Sequence, residues 1–344
     1  MTVTLDTGSM AEFAVPRRRE LLAHCYRMLG SVHDAEDAVQ ETMLRAWQGF
    51  EGFEGRSSPR VWLYRIATNV CLRALERRGR LPLPSGLGAP AEDADGPMAV
   101  VPGGARWLEP IPDAGFTATG GEPGVGLGGA GAVDPARAAL VRSSVRLAFV
   151  SALQHLPARQ RSALILRDVY AFSAQETAEI LETTVASVNS ALQRARAQIA
   201  AVAPAEQQVC EPTDPERKRQ LERYLDAFER CDIEGLARIL HEDVVLEMPP
   251  SPTWFRGRAA VGRFLAGRVA EEGGRVRMVP IAANSQPGYA SYLRGGDGVW
   301  SAHAIHVLDP APGGLARISV FLEPGLFEVF GLAMSSRDGA DLHS

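Results

Sequence analysis

The chain is almost without lysine: of its 36 basic residues 35 are Arg, and only Lys218 is Lys. That bias fits a GC-rich genome as readily as a physical need. Cysteine is scarce too, with Cys25, Cys71, Cys210 and Cys231 far apart and no C-x-x-C among them. This excludes a disulfide framework or a zinc site and fits a reducing compartment, so no metal or cofactor is expected. There is no apolar run of about 18 residues, so no membrane span is expected. The opening MTVTLDTGSMAEFAV has no basic segment ahead of an apolar core. It does not read as a secretory signal, and a cytoplasmic protein is expected.

What is present is length and apolar content. A chain of 344 residues, 46% hydrophobic, has material for two or three cores. The net charge of −5 conceals a pattern. Residues 15–80 hold 12 Arg and 8 acids, and residues 139–200 hold 7 Arg and 4 acids. Residues 81–138 hold 2 Arg and 7 acids, and residues 201–344 hold 15 bases and 20 acids. Two basic blocks thus alternate with acidic ones. A phosphate feels the local field within a Debye length of roughly 8 Å, so the acidic total does not forbid nucleic acid.

Residues 15–80 read as helical. In DAEDAVQETMLRAWQGF (34–50), Ala35, Val39, Met43, Ala46, Trp47 and Phe50 share one face at helical spacing. The opposite face carries Asp34, Asp37, Gln40, Glu41, Leu44 and Arg45. Acids repel DNA, so this face reads either as a protein contact marked by Leu44 or as a solvated surface. Ser58-Pro59 then starts a second helix, with Ser as cap and Pro in the first turn. On it Arg65, Asn69, Arg73 and Arg77 make a basic stripe opposite Leu63, Ile66 and Val70. Trp62 and Tyr64 lie beside it, and aromatics next to a basic stripe suit unstacked bases, at roughly 1–3 kcal/mol each. The alternative is that Trp62 fills the core.

Residues 81–135 are rich in Gly, Pro and Ala and read as an acidic linker that cannot fold alone. One apolar island interrupts it, RWLEPIPD (106–113), with Trp107, Leu108, Pro110 and Ile111. Residues 136–203 are helical again, with Pro157 starting a new helix. SAQETAEILETTVASVNSALQRARAQI (173–199) has the rhythm of a helix-turn-helix. Ser173 caps the first helix, and Glu182, Thr183 and Thr184 make the turn, with Glu182 where Gly is usual. Val188, Leu192 and Ile199 face inward on the second helix. That leaves Ser187, Asn189, Ser190, Gln193 and Arg194 outward, where short polar side chains suit base edges and Arg194 and Arg196 suit phosphates. The alternative is two amphipathic helices packed in a bundle.

The stretch ALQHLPARQRSALILRDVYAFSAQETAEILETTVASVNSALQRARA closely resembles the DNA-binding region of extracytoplasmic-function sigma factors, the promoter-recognition subunits of bacterial RNA polymerase. LGSVHDAEDAVQETMLRAWQGF with SSPRVWLYRIATNVCLRALERR resembles their other conserved region, and together the two cover roughly 130 residues in the family's order. The resemblance implies that RNA polymerase core and promoter DNA are the partners. It implies contact with the minus-thirty-five element by Ser187, Asn189, Ser190, Gln193, Arg194 and Arg196. It assigns the minus-ten element to Arg56, Ser57, Arg60, Trp62, Arg65, Asn69, Arg73 and Arg77. It assigns polymerase docking to Asp34, Asp37, Gln40, Glu41 and Leu44. Asn189 and Ala191 stand where many members carry Lys and Arg, so fewer phosphate contacts are expected.

From about residue 214 the character changes to a helix, LERYLDAFERCD, and then strands separated by Gly and Pro turns. Residues 214–331 resemble the SnoaL-like, nuclear-transport-factor-like α+β cone, whose relatives include polyketide cyclases and isomerases. Catalysis in such a cone needs a buried carboxylate or His. The candidates are Asp243, Glu247, His303 and His306. Strict alternation along WSAHAIHVL allows only one of the two His to face the interior. A ligand-sensing or structural role is the other reading, since a fold does not confer chemistry. Some family members that resemble this chain carry a fused tail with a Trp-Leu-Glu-Pro-like linker motif. Trp107, Leu108 and Pro110 are therefore expected to dock on the tail or on a neighbouring helix and regulate.

The expected architecture is multidomain: two all-α domains (15–80 and 136–203, the second with the helix-turn-helix), a linker (81–135) and a C-terminal α+β cone (214–331). A sigma factor with a modulating tail, for which a small ligand is one expected partner, competes with two other readings. One is a regulator that binds duplex DNA unaided, and the other a cyclase-like enzyme with a DNA-binding appendage.

Overall fold

A computed structural model describes residues 15–50, 52–53, 55, 57–77, 79–99, 106–115, 141, 143–202, 215–272 and 274–337. The chain divides into two compact units. One joins residues 1–81 to 113–205, and the other joins 82–112 to 206–344.

The first unit is helical. Helices α1 (Arg18–Leu29), α2 (Val32–Gly49) and α3 (Pro59–Arg77) precede α4 (Leu147–Gln154), α5 (Ala158–Leu164), α6 (Ala174–Ile180) and α7 (Val185–Val202). Local chemistry sets the boundaries. Gly30 ends α1 in the left-handed conformation (φ 76°), the position glycine takes without a Cβ penalty. Ser31 caps α2 through the Asp34 N–H at 3.1 Å, and Ser58 caps α3 through the Val61 N–H at 3.2 Å.

The two helical segments share one core. Arg27 is 1% exposed. It donates to Ser144 Oγ at 3.0 Å, to the Tyr170 hydroxyl at 2.7 Å and to the Val141 carbonyl at 3.1 Å. Arg161 is 3% exposed and donates to the carbonyls of Met28, Gln154 and Leu156 and to Gln154 Oε1. Burial among these neutral acceptors lowers the Arg161 pKa to about 10. His24, Tyr64, Tyr170 and Phe172 interlock edge to face, with centroids 5.0–5.6 Å apart. Two arginines that the sequence leaves unassigned are thus part of the interior.

The second unit is α+β. Helices α8 (Pro215–Glu229), α9 (Ile233–Ile239) and α10 (Arg258–Glu272) accompany a seven-stranded sheet. Its strands are β1 (Leu240–Glu247), β2 (Trp254–Arg256), β3 (Val276–Ala283), β4 (Gln286–Arg294), β5 (Trp300–Ala311), β6 (Gly314–Phe321) and β7 (Ser335–Ser336). The order is β2-β1-β6-β5-β4-β3, with β7 beside β5. Only β1 and β6 run parallel; the other pairs are antiparallel. Tyr224 and Phe228 of α8, Phe264 and Leu265 of α10, and Leu246, Met278, Leu308 and Ile318 of the sheet build one core.

Of residues 82–112, expected as part of a linker without its own fold, the described ones (82–99 and 106–112) form an arm on the sheet of this unit. They cannot fold alone, and the sheet supplies the missing partners. Residues 100–105 and 116–135 of the expected linker lie outside the described residues.

Candidate nucleic-acid interface and tail cavity

The helix-turn-helix forms as its residues dictate. Ser173 Oγ accepts from the Glu176 N–H at 3.1 Å while the Glu176 carboxylate accepts from the Ser173 N–H at 2.7 Å, a reciprocal capping box. Glu182 takes φ 50° in the turn, where a side chain costs about 1–2 kcal/mol. Val188, Leu192 and Ala195 are buried and Ile199 is half-buried. Ser187, Asn189, Ser190, Gln193 and Arg194 all stand exposed on one side of α7. Arg196 is exposed too, but holds Asp168 with two bonds of 2.6 and 2.9 Å. An exposed pair of this kind is worth under about 1 kcal/mol and yields readily to a phosphate.

The α3 side differs from expectation. Arg65 and Asn69 are half-buried, and Arg73 and Arg77 are exposed, so the stripe exists. It does not stand apart from the acids, because Arg73 and Arg77 share a groove with Asp34, Asp37 and Glu41 of α2. Trp62, expected beside unstacked bases, is 8% exposed and packs between Phe50 and Phe53, at 6.3 and 5.1 Å. Arg60 lies over the Phe172 ring at 4.2 Å and donates to the Tyr170 carbonyl at 3.3 Å. It is therefore engaged with the helix-turn-helix segment rather than presented outward. Ser57 is half-buried, and Arg56 lies outside the described residues.

Helix α2 also corrects two expectations. Asp34, placed on the outer face, is 7% exposed. It is the third residue of the helix, where the chain doubles back at the Ser31 cap and covers it. Trp47, placed inward, is 62% exposed, and Leu44 is 49% exposed. Phe50 and Trp62 are the aromatics buried at this end of the helix instead. Leu44 and Trp47, three residues apart, form an apolar pair beside the exposed Asp37 and Gln40 and the half-buried Glu41 and Arg45. The sequence pattern missed Trp47 because its spacing fits either face.

The arm is held to the tail sheet by named bonds. Ile111 N–H donates to Asn284 Oδ1 at 3.0 Å, and the Asn284 N–H donates to the Ile111 carbonyl at 2.9 Å. Asn284 and Ser285 take φ 57° and 55° in the β3–β4 turn, a primed hairpin geometry that suits Asn. Trp107, Leu108, Pro110 and Ile111 are buried, yet the Trp107 indole N–H has no hydrogen-bond partner among the described residues. Ser85 Oγ donates to Glu247 at 2.7 Å, and Ser319 and Arg317 donate to the same carboxylate at 2.9 and 2.8 Å.

That arrangement settles where the four candidate tail residues lie. Glu247, 0% exposed, is consumed in anchoring the arm. Asp243 is exposed, 4.0 Å from Arg256. Both histidines line one apolar cavity of about 110 Å³, contrary to the alternation argument. The reason is a bulge. Ser291 pairs with Ala304 but Tyr292 pairs with Ala302, so β5 carries an extra residue at His303. The bulge re-aims that side chain to the face of His306. His306 receives the Tyr224 hydroxyl on Nδ1 and meets Ser291 Oγ with Nε2, both at 3.1 Å. Ser291 Oγ donates its one proton to the Ala304 carbonyl, so His306 Nε2 carries the hydrogen and Tyr224 donates to Nδ1. Burial first, and His303 second, hold His306 down to about 3. Burial also lowers the His303 pKa.

A capped helix-turn-helix packed on a second helical segment, followed by a cone, defines a transcription factor of the Sigma-70 type with an appended α+β domain. The comparisons agree. Residues 16–81 match Sigma-70 region 2, residues 146–199 match Sigma-70 region 4, and residues 221–317 match the SnoaL-like domain. The ECF RNA polymerase sigma factor SigG of Mycobacterium tuberculosis is 45% identical over 327 residues, covering 94% of this chain and 84% of SigG. SigJ of the same organism is 28% identical over 263 residues, 74% of this chain and 72% of SigJ. The crystal structure of SigJ superposes with a TM-score of 0.58 at 24% identity, over 93% of this chain and 98% of SigJ, and so shares its fold. The chain belongs to the ECF RNA polymerase sigma factors. It directs RNA polymerase to promoters and initiates transcription.

Among the described residues no helix is long and apolar enough to cross a membrane.

Proposed function

We propose that the exposed face of α7 reads the minus-thirty-five element through Ser187, Asn189, Ser190, Gln193 and Arg194, with Arg196 exchanging Asp168 for a phosphate. The full and simultaneous exposure of that face, on a helix packed against the capped α6, is the observation that carries the reading. Arg65, Asn69, Arg73 and Arg77 track the minus-ten strand, with Arg56 and Ser57 in the preceding loop. Trp62 and Arg60 join them only after the helical unit opens, because both are now packed. Polymerase core docks on α2 through Leu44 and Trp47, rimmed by Asp37, Gln40 and Glu41, while Asp34 supports the helix start. Holding by polymerase offsets modest DNA affinity, since tethered weak contacts gain effective concentration. The functional divisions follow the helical segments 15–80 and 136–203, the intervening 81–135 and the tail 214–331.

The tail modulates initiation through the arm, with Trp107, Leu108 and Pro110 as its buried anchor, and catalyses nothing. Support for that comes from Glu247 and His306, whose hydrogen-bonding capacity is taken up within the fold. In vitro transcription with polymerase core tests the whole reading. Full-length protein should initiate at a specific promoter only with core present. Leu44→Asp should abolish initiation while leaving the fold intact by circular dichroism, and specific promoter shifts without core would defeat the reading. Trp107→Ala should change the initiation rate; an unchanged rate removes the arm from regulation.

A further inference from the structure

We propose that residues 165–172 form one switch that holds both DNA-facing surfaces closed and releases them together, with Asp168 and Tyr170 as its positioning residues. Its effect on initiation rests on the DNA reading of those surfaces; the coupling itself does not.

The segment is irregular in two ways. Helix α5 runs on into a π-turn, Ile165–Val169, closed by the Tyr170 N–H on the Ile165 carbonyl at 3.1 Å. Such a turn bonds five residues back and holds one residue more than an α-helical turn. Ala171 then takes φ 53°, where an L side chain is strained. The Phe172 N–H reaches back to the Leu166 carbonyl at 3.0 Å, and Arg167 donates to the Phe172 carbonyl. Backbone of this kind persists only where its surroundings hold it, and it gathers at switch regions.

Here the surroundings are the two surfaces. Ala171 is exposed, and the residues on either side of it turn inward against Tyr64, with ring centroids at 5.0 Å for both Tyr170 and Phe172. The Tyr170 hydroxyl accepts from Arg27 at 2.7 Å and donates to the Glu20 carbonyl at 3.2 Å. Arg60 of α3 donates to the Tyr170 carbonyl and lies over the Phe172 ring. In the other direction Asp168, inside the π-turn, accepts both bonds from Arg196 of α7. One arginine of each surface is therefore held by the same short segment.

That sharing makes the two holds interdependent. Relaxation of the π-turn to α-helical bonding removes the width of one residue, which turns the chain beyond it by about 100° about the axis. A rotation of that size takes Tyr170 and Asp168 off their partners together. Whatever parts α3 from the segment then favours release of Arg196, and release of Arg196 favours parting of α3, by the same factor in each direction. The segment is the two-state element that a coupling between distant surfaces requires.

Hydrogen exchange of the full-length chain, read by mass spectrometry in the absence of DNA, tests the link. Among the described residues Asp168 bonds only to Arg196. Asp168→Ala should nevertheless speed exchange in residues 59–66 about two- to fivefold, the change that an exposed ion pair supports, and leave residues 32–46 of α2 unmoved. Ala171→Gly accepts the positive φ without strain. It should slow exchange in residues 59–66 at least twofold and lower the initiation rate with polymerase core at least twofold, though it touches no DNA-facing residue. The proposal is overturned if Asp168→Ala leaves residues 59–66 at the original rate, or if α2 speeds up by the same factor, which marks plain loss of stability. It is overturned equally if Ala171→Gly speeds exchange or leaves it unchanged. Exchange that moves as expected in both variants, with promoter binding and initiation untouched, keeps the coupling and defeats the DNA reading of Arg60 and Arg196.

Discussion

The two surfaces expected to meet DNA are not in the same state. On α7 the polar residues are exposed together, and the helix beneath is capped and packed. On α3 the aromatic residue and the first arginine of the expected set are covered by Phe50, Phe53 and Phe172. The difference follows from what each must read. A helix entering a duplex groove works as a rigid body, and its surface can be ready before the partner arrives. A surface for unstacked bases needs exposed apolar rings. In the absence of nucleic acid those rings cost roughly 1.5–3 kcal/mol each if left in water. Packing them against neighbouring aromatics is the cheaper resting state.

The largest effect is expected from Arg27→Ala, which leaves Ser144, Tyr170 and a cavity unsatisfied between the two helical segments. It should lower stability by about 3–5 kcal/mol in urea unfolding, and an unchanged midpoint would show that the segments do not share a core. Acid should act next. His24 is buried under the covered surface, where burial first and Arg27 second push its pKa down to about 3. The unfolded chain binds this proton near pH 6.5, so the contribution is present above that value and is lost as pH falls towards 3. The loss amounts to about 1.4 kcal/mol per pH unit, or about 2 kcal/mol by pH 5. Unfolding of His24→Gln should lack that component; an identical pH profile would refute it.

Smaller effects belong to the open surface. Asn189→Ala should relax preference at one base pair by about 1–3 kcal/mol in competition transcription, and unchanged preference removes it from the reading set. Ser173→Ala should destabilise the helix-turn-helix by about 1 kcal/mol through loss of the capping box, seen as faster amide exchange in α6. Arg194→Ala should weaken binding across sequences and lower the salt slope by about 0.9. A slope that does not move would place Arg194 away from phosphate.

The sequence was a good guide wherever one local rule decided the outcome. Ser58 and Ser173 cap where their spacing says, and period-3.6 burial gives the outward set of α7. It misled where a second element intervened. Trp47 and Trp62 both fit a core by spacing, and only Trp62 takes the place beside Phe50 and Phe53. Asp34 looks outward on a helical wheel, but the end of a helix is covered by the chain that enters it. Arg27 and Arg161 carry no sign in the sequence that their acceptors include the Tyr170 hydroxyl and the Met28 carbonyl, each over 100 residues away. A bulge is likewise invisible to an argument from alternation, which is why only one of His303 and His306 was expected to face the interior. The arm residues 82–112 read as unstructured because their partners are the Asn284 turn, Glu247 and Trp254, all in the tail.

The bond between Arg27 and Tyr170 spans 143 positions of sequence. During synthesis the guanidinium leaves the ribosome long before its phenol does. At about 5–20 residues per second the first segment waits on the order of ten seconds or more for its last interior partner. Until then a newborn chain carries an unfinished amino-terminal half with a buried-type arginine still in water. The moment at which this factor becomes competent is therefore set by translation of its own middle third.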